Sequence, residues 1–247
     1  MDQSGSILVS TDALTKSFGA TEALSKLSFE MRSGEIACLL GPNGAGKTTT
    51  LKLLVGLLRP TAGVVRVAGL DPSTRPIDVK CKVGYSSDEP AFYDFLSGTE
   101  TINFAAEMRG LDRVESWARI DSLVVLLEFK EALSKLVGTY SHGMKKKLSL
   151  LLALIHDPPV LLLDEPTNGL DPVAAARMRE VLRSRSSAGT AILISTHLLD
   201  LAEQLCSRIL LLHGGRLVAQ GTVGDLRLKA GLADTASLEQ AFFALIA

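Results

Sequence analysis

The octapeptide Gly41-Pro42-Asn43-Gly44-Ala45-Gly46-Lys47-Thr48 restricts this chain more than any other stretch. It matches G-x-x-x-x-G-K-[ST] at every defined position. It follows Ile36 to Leu40, a short apolar run that stops at Gly41 and reads as a buried parallel strand. A helix is expected from about 46 to 57. Glycines let a backbone curl so that successive N–H groups face one anion. The start of the helix adds a partial positive charge. Lys47 is a mobile point charge able to reach outer phosphates, and the Thr48 hydroxyl suits Mg²⁺. Strand, anion loop and helix in this order point to a layered α/β domain that binds a phosphate ester.

The remaining pattern agrees. Residues 63–67 read as a return strand after Pro60. From about 90 to 139 the chain is helical in pattern, with Ser97 and Glu100 forming a capping box and Gly110 a helix stop. Trp117, Ile120, Val124 and Leu127 recur at helical spacing and are expected in the core. Strands are expected at 160–163 and 191–195, and helices at 173–185 and 198–206, the first opened by Asp171 and Pro172. Two short apolar runs at 209–212 and 216–219 flank Gly214-Gly215, which suits a tight hairpin. There is no internal repeat. The expected organisation is one domain over 1–247. Segments 1–88 and 156–220 form the sheet core with a β-subdomain, 89–155 a helical insertion, and 221–247 a C-terminal extension.

Composition removes several function classes. Hydrophobic residues make up 47% of the 247 residues, enough for a sizeable core. Lys and Arg number 26 against 27 Asp and Glu, so the basic excess that drives non-specific nucleic-acid binding is missing, and no nucleic-acid partner is expected. Lys145, Lys146 and Lys147 form the one compact basic run and read as a solvated helix face. Cys38, Cys81 and Cys206 are too widely spaced for a zinc pattern or a disulfide framework, and suit a reducing compartment. The stretch from Met1 to Ser10 lacks the features of a signal peptide. Apolar runs such as 150–155 fall far short of the ~20 residues that cross a bilayer.

A second constellation, Val160-Leu161-Leu162-Leu163-Asp164-Glu165, is an apolar strand ending in two adjacent carboxylates. Alternation along a strand aims them in different directions. Asp164 can then hold Mg²⁺ through water while Glu165 faces an attacking water.

Three further features narrow the field. Tyr140-Ser141-His142-Gly143-Met144 precedes a helix, Asn168-Gly169-Leu170-Asp171 follows the Asp164 strand, and His197 follows the strand after that. As an ordered set these resemble the ABC-type ATPases that power transporters, over nearly the whole chain. The resemblance implies a P-loop NTPase fold, α/β with a mainly parallel central sheet, an N-terminal antiparallel β-subdomain and an inserted α-helical subdomain. It implies ATP and Mg²⁺ as ligands, with Thr48, Asp164 and Asp88 on the metal side. Residues 41–48 with Thr49 would bind the nucleotide, and Phe18 would stack on adenine. Glu165 and His197 would be catalytic. Ser141, His142, Gly143 and Met144 would act on the ATP of an opposite subunit in a head-to-tail dimer, with Asp171 in the adjoining D-loop. The partners implied are a membrane permease and a second ATPase copy, with the chain cytoplasmic and peripheral on the inner face of the cell membrane. The stretch Asp88 to Leu96, rich in aromatics, would help receive the permease. The tail Ser237-Leu238-Glu239-Gln240-Ala241-Phe242 resembles the ABC-2 exporter branch.

Two positions depart from the family. The signature reads Tyr-Ser-His-Gly-Met instead of Leu-Ser-Gly-Gly-Gln, and Asp88 stands where glutamine is usual. The main rival is a soluble ABC ATPase acting on nucleic acid or ribosomes. Such proteins usually carry a coiled-coil insert or tandem domains, which this chain lacks. No N-K-x-D guanine motif occurs, which argues against a GTPase.

Overall fold

The structure, a computed structural model, describes residues 5–246; residues 1–4, part of the stretch read for a signal peptide, and residue 247 lie outside the described residues. The chain opens with two long strands, β1 (Ile7–Phe18) and β2 (Thr21–Arg32), then a short buried strand, β3 (Ile36–Leu40). Helix α1 (Lys47–Leu54), strand β4 (Ala62–Val67), helix α2 (Pro76–Lys82) and strand β5 (Val83–Ser86) follow. Three helices then interrupt the sheet pattern: α3 (Gly98–Met108), α4 (Arg113–Leu126) and α5 (His142–Leu154). Alternation resumes with β6 (Val160–Asp164), α6 (Pro172–Ser187), β7 (Ala191–Thr196), α7 (Leu199–Leu205), β8 (Arg208–His213) and β9 (Arg216–Gly221). Helices α8 (Val223–Lys229) and α9 (Leu238–Ile246) close the described chain.

Two sheets result. β2, β1 and β4 form an antiparallel sheet in that order. The second runs β5-β6-β7-β3-β8-β9, parallel except for β9. Its inner strands β3, β6 and β7 are buried at every residue. That explains their unbroken apolar runs, because helices and the other sheet cover both faces. The β8–β9 hairpin turns on Gly214 and Gly215, both at positive φ, as a two-residue hairpin turn demands.

Local chemistry sets the element ends. The expected helix to residue 57 stops at Leu54 instead. Gly56 adopts φ +73, its N–H donates to the Leu53 carbonyl and the Leu57 N–H to the Lys52 carbonyl, which is a Schellman stop. In the insertion, helix begins only at Ser97, whose hydroxyl and Glu100 carboxylate complete the capping box. Residues 90–96, expected to start the helical region, are instead irregular. Ile120, Val124 and Leu127 are buried as their spacing requires. Trp117 packs partly against the same cluster and donates its indole N–H to Asn103 Oδ1 at 2.8 Å. Among the described residues no helix is long and apolar enough to cross a membrane.

The sheet order decides where chemistry can occur. β3 lies between β7 and β8, with β6 beyond β7, so the C-terminal ends of β3, β6 and β7 lie side by side. In register, Leu40 pairs with Thr196 and Asp164 with Ser195. Ligands of open α/β sheets sit at such carboxyl ends.

Candidate functional site

Residues 41–48 leave the end of β3 and wrap into the first turn of α1. Gly46, the N-cap, takes φ +101, and a Cβ there would come within 2.6 Å of Leu24 Cδ2 and 2.8 Å of the Ala23 carbonyl. The antiparallel sheet therefore presses directly on the loop, and only glycine fits. Lys47 is buried. Its ammonium donates to the carbonyls of Gly41 at 2.6 Å and Pro42 at 3.1 Å and lies 4.0 Å from Glu165 Oε1. Burial pulls its pKa down, and the carboxylates of Glu165 and Asp164 oppose that pull.

The two carboxylates after β6 diverge as alternation predicts. Asp164 accepts from the Thr48 hydroxyl at 2.7 Å on one oxygen and from the Ser195 hydroxyl on the other. Glu165 accepts from the Thr196 hydroxyl at 2.8 Å and from the His197 backbone N–H at 3.0 Å, and its Oε1 lies 2.8 Å from His197 Nδ1. Glu165 holds φ +45, a left-handed conformation uncommon for a side chain of this size. Tyr85 lies close by. Burial first, and then Asp164, push its phenol up to about 12.

These groups face one cleft of about 340 Å³, lined by Ala23, Asn43, Gly44, Ala45, Gly46, Lys47, Thr48, Thr49, Asp88, Asp164 and Glu165. Gly41 and Pro42 enter through their carbonyls, and His197 through Glu165. Phe18 lies outside the lining, half exposed at the tip of the β1–β2 hairpin with Lys16 Nζ 4.9 Å from its ring centre. The oxygen set of Thr48, Asp164 and Asp88 suits a small hard cation. Mg²⁺ takes one or two carboxylates and completes its shell from phosphates and water. Among the described residues no three acidic, histidine or cysteine side chains form a metal centre by themselves.

Ser141, His142, Gly143 and Met144 do not line this cleft. Ser141 caps α5, accepting from the Met144 N–H at 3.2 Å. His142 is exposed and rests against Gly169, where a Cβ would meet its ring at 2.5 Å. Asp171 caps α6 by accepting from the Ala174 N–H at 2.9 Å, which holds its carboxyl below the usual range.

The basic run also departs from expectation: it is not a solvated face, because Lys146 is 1% exposed. α5 packs on β5 and the end of β6, which turns Lys146 inward, while Lys145 stays outside and pairs with Asp94 at 3.7 Å. The Lys146 ammonium donates to Asp88 Oδ1 at 2.9 Å, to the Glu165 carbonyl at 3.0 Å and to the Asp164 carbonyl at 3.2 Å. Sequence reasoning also missed Ser195 and Thr196. Their signal was present: two hydroxyls at a strand end immediately before His197.

The chain is similar to known proteins over most of its length. The model of the ABC transporter family matches residues 24–168, more than half of the chain. The ABC transporter ATP-binding protein YxlF of Bacillus subtilis is 36% identical over 220 residues, 89% of this chain and 72% of that protein. The daunorubicin/doxorubicin resistance ATP-binding protein DrrA of Streptomyces peucetius is 34% identical over 223 residues, 90% of this chain and 68% of that protein. A solved ATP-binding subunit of an ABC transporter superposes with TM-score 0.91 at 33% identity, covering 96% of this chain and 99% of its own.

Proposed function

The chain belongs to the ABC transporter family as an ATP-binding ATPase, and from that premise we propose that it drives export through a separate membrane permease by nucleotide-dependent closure of a head-to-tail dimer. The observation that carries this reading is the convergence of Lys47, Thr48, Asp164 and Glu165 on one cleft.

Lys47 exchanges the carbonyls of Gly41 and Pro42 for phosphate oxygens, with the N–H groups of 44–48 around them. Phe18, exposed at the hairpin tip, offers a face for adenine. Thr48, Asp164 and Asp88 are the residues that would hold Mg²⁺, which when bound would neutralise phosphate charge. Glu165 is the water-orienting base. Three contacts from the end of β7 aim its carboxylate, and His197 touches the same oxygen that would face the water. Electrostatic positioning of this kind supplies most of phosphoryl-transfer catalysis.

One feature supports the dimer: the start of α5, at 141–144, does not line its own cleft yet is a helix N-terminus suited to an anion. In a head-to-tail pair it meets the phosphates of the second copy, so ATP joins the two subunits and hydrolysis releases them. Residues 89–155 would then swing as a helical subdomain on the sheet core. The permease docks at Tyr93 and Phe95, both exposed, with Phe104 against Tyr93 at 5.7 Å. In that arrangement the chain would sit at the inner membrane face. The similarity to the drug-resistance protein DrrA and the α9 tail favour export.

Glu165→Gln tests both halves. Turnover should fall by ~10²–10⁴-fold with ATP binding retained. Tagged Glu165→Gln protein with ATP should also recover a multi-span membrane protein in stoichiometric amount from detergent-solubilised membranes. Near-normal hydrolysis would remove Glu165 from the base role. Ribosomes or DNA-bound proteins in the pull-down, without a membrane partner, would replace export by a soluble role.

A further inference from the structure

We propose that Lys146 is a positioning residue for ATP hydrolysis that forms one working unit with Asp88: its ammonium holds the backbone that aims Glu165 and neutralises the aspartate on the metal side of the cleft. The proposal rests on the reading of the cleft as an ATP site.

Position comes first. The carbonyls of Asp164 and Glu165 lie where β6 ends and the chain turns into the left-handed conformation of Glu165. Buried carbonyls need donors. A single ammonium donates to both, at 3.2 and 3.0 Å, and the Glu165 carbonyl also accepts from the Asn168 N–H at 3.2 Å. The same ammonium lies 2.9 Å from Asp88 Oδ1 and 3.4 Å from the Ser87 carbonyl, so its three protons are shared among four acceptors. One turn further along α5, the Ser149 and Ser86 hydroxyls share a buried hydrogen bond of 2.7 Å. α5 is thus pinned by polar contacts to the ends of both β5 and β6. The helix that begins with the Ser141 cap is held to the turn that carries the reacting carboxylate.

Charge comes second. The cleft gathers three carboxylates, Asp88, Asp164 and Glu165, with Lys47 as the one cation in its lining among the described residues. A polyphosphate must enter that field. Lys146, reaching in from behind, cancels the extra negative charge of Asp88. Without Lys146, Asp88 would repel phosphate, and binding would lean more heavily on Mg²⁺. An acid at this position and a buried lysine on α5 therefore belong together.

The experiment compares wild type, Lys146→Gln, Asp88→Asn and the double variant. Lys146→Gln keeps donor capacity without charge and guards against misfolding, which thermal melting checks. Lys146→Met serves as the harsher form. The readouts are binding of a fluorescent ATP analogue across a Mg²⁺ titration, and turnover. Lys146→Gln should lose about 10- to 100-fold in turnover and bind the analogue more weakly at low Mg²⁺, the deficit shrinking as Mg²⁺ rises. Asp88→Asn in that background should restore analogue binding at low Mg²⁺, while turnover stays below wild type. A folded Lys146→Gln protein with unchanged turnover and an unchanged Mg²⁺ profile overturns the proposal. So does a double variant that binds no better than Lys146→Gln. Failure of the wild type to bind the analogue at any Mg²⁺ level would instead sink the ATP-site reading beneath it.

Discussion

Two buried lysines, on two different helices, flank the same cleft, Lys47 in its lining and Lys146 behind it. Lys47 opens α1 and Lys146 lies in the second turn of α5. Both are almost fully buried and both donate to backbone carbonyls. Lys47 holds carbonyls of its own loop, five and six residues away. Lys146 holds carbonyls 18 and 19 residues away and an aspartate 58 away. The first arrangement is local, so a motif can announce it. The second exists only once α5 has packed on β5 and β6. A basic run on a helix looks the same in sequence whether it faces water or a neighbouring strand end.

The largest effect on this contrast is expected from Lys47→Ala. If Lys47 is the phosphate cation, turnover should fall by ~10²–10³-fold and nucleotide affinity with it, while the melting temperature stays close to wild type. A large drop in melting temperature with affinity intact would make Lys47 a structural lysine and reverse the contrast with Lys146. A smaller effect is expected at the start of α5. Ser141→Ala removes a helix cap, worth ~1 kcal/mol in denaturant unfolding. If the loop also meets the phosphates of a second copy, ATP-induced dimerisation, followed by light scattering, should weaken as well. Dimerisation unchanged in that variant would confine Ser141 to capping.

The smallest effect concerns the residues just past the far end of α5, where His156 Nε2 lies 3.2 Å from the Val83 carbonyl. Burial, then the nearby Arg109 charge, hold its pKa down at about 4. An unfolded histidine titrates near 6.5, so between these values the unfolded chain takes up a proton that the folded chain refuses. Stability should therefore fall as pH drops from about 6.5 toward 4. This group contributes at most about 1.4 kcal/mol per pH unit, and less because the ring is only partly buried. His156→Gln should flatten that slope in denaturant titrations at pH 7 and pH 5. An identical slope would assign the acid sensitivity to other groups.

The phosphate loop, the carboxylate pair after β6 and the order of strands and helices were all legible in the chain, because each depends on neighbours a few residues away. Strand, glycine-rich turn and helix start are local features. So is the alternation that sends Asp164 toward Thr48 and Glu165 toward His197. The stop of α1 at Gly56 was legible in principle and was misplaced by three residues, since a glycine can continue a helix as well as end one.

The chain alone carried the fold class, the ABC family and the loop and carboxylates that line the cleft, because those rest on short-range backbone geometry and on hydrophobic period. Tertiary structure alone decided the partners of each charge. It placed the Ser195 and Thr196 hydroxyls on the two carboxylates, turned His142 onto Gly169 and buried Lys146 against Asp88. Such pairings form only when strand ends far apart in the chain come into register, and a buried charge takes its partner from whatever that packing brings within reach.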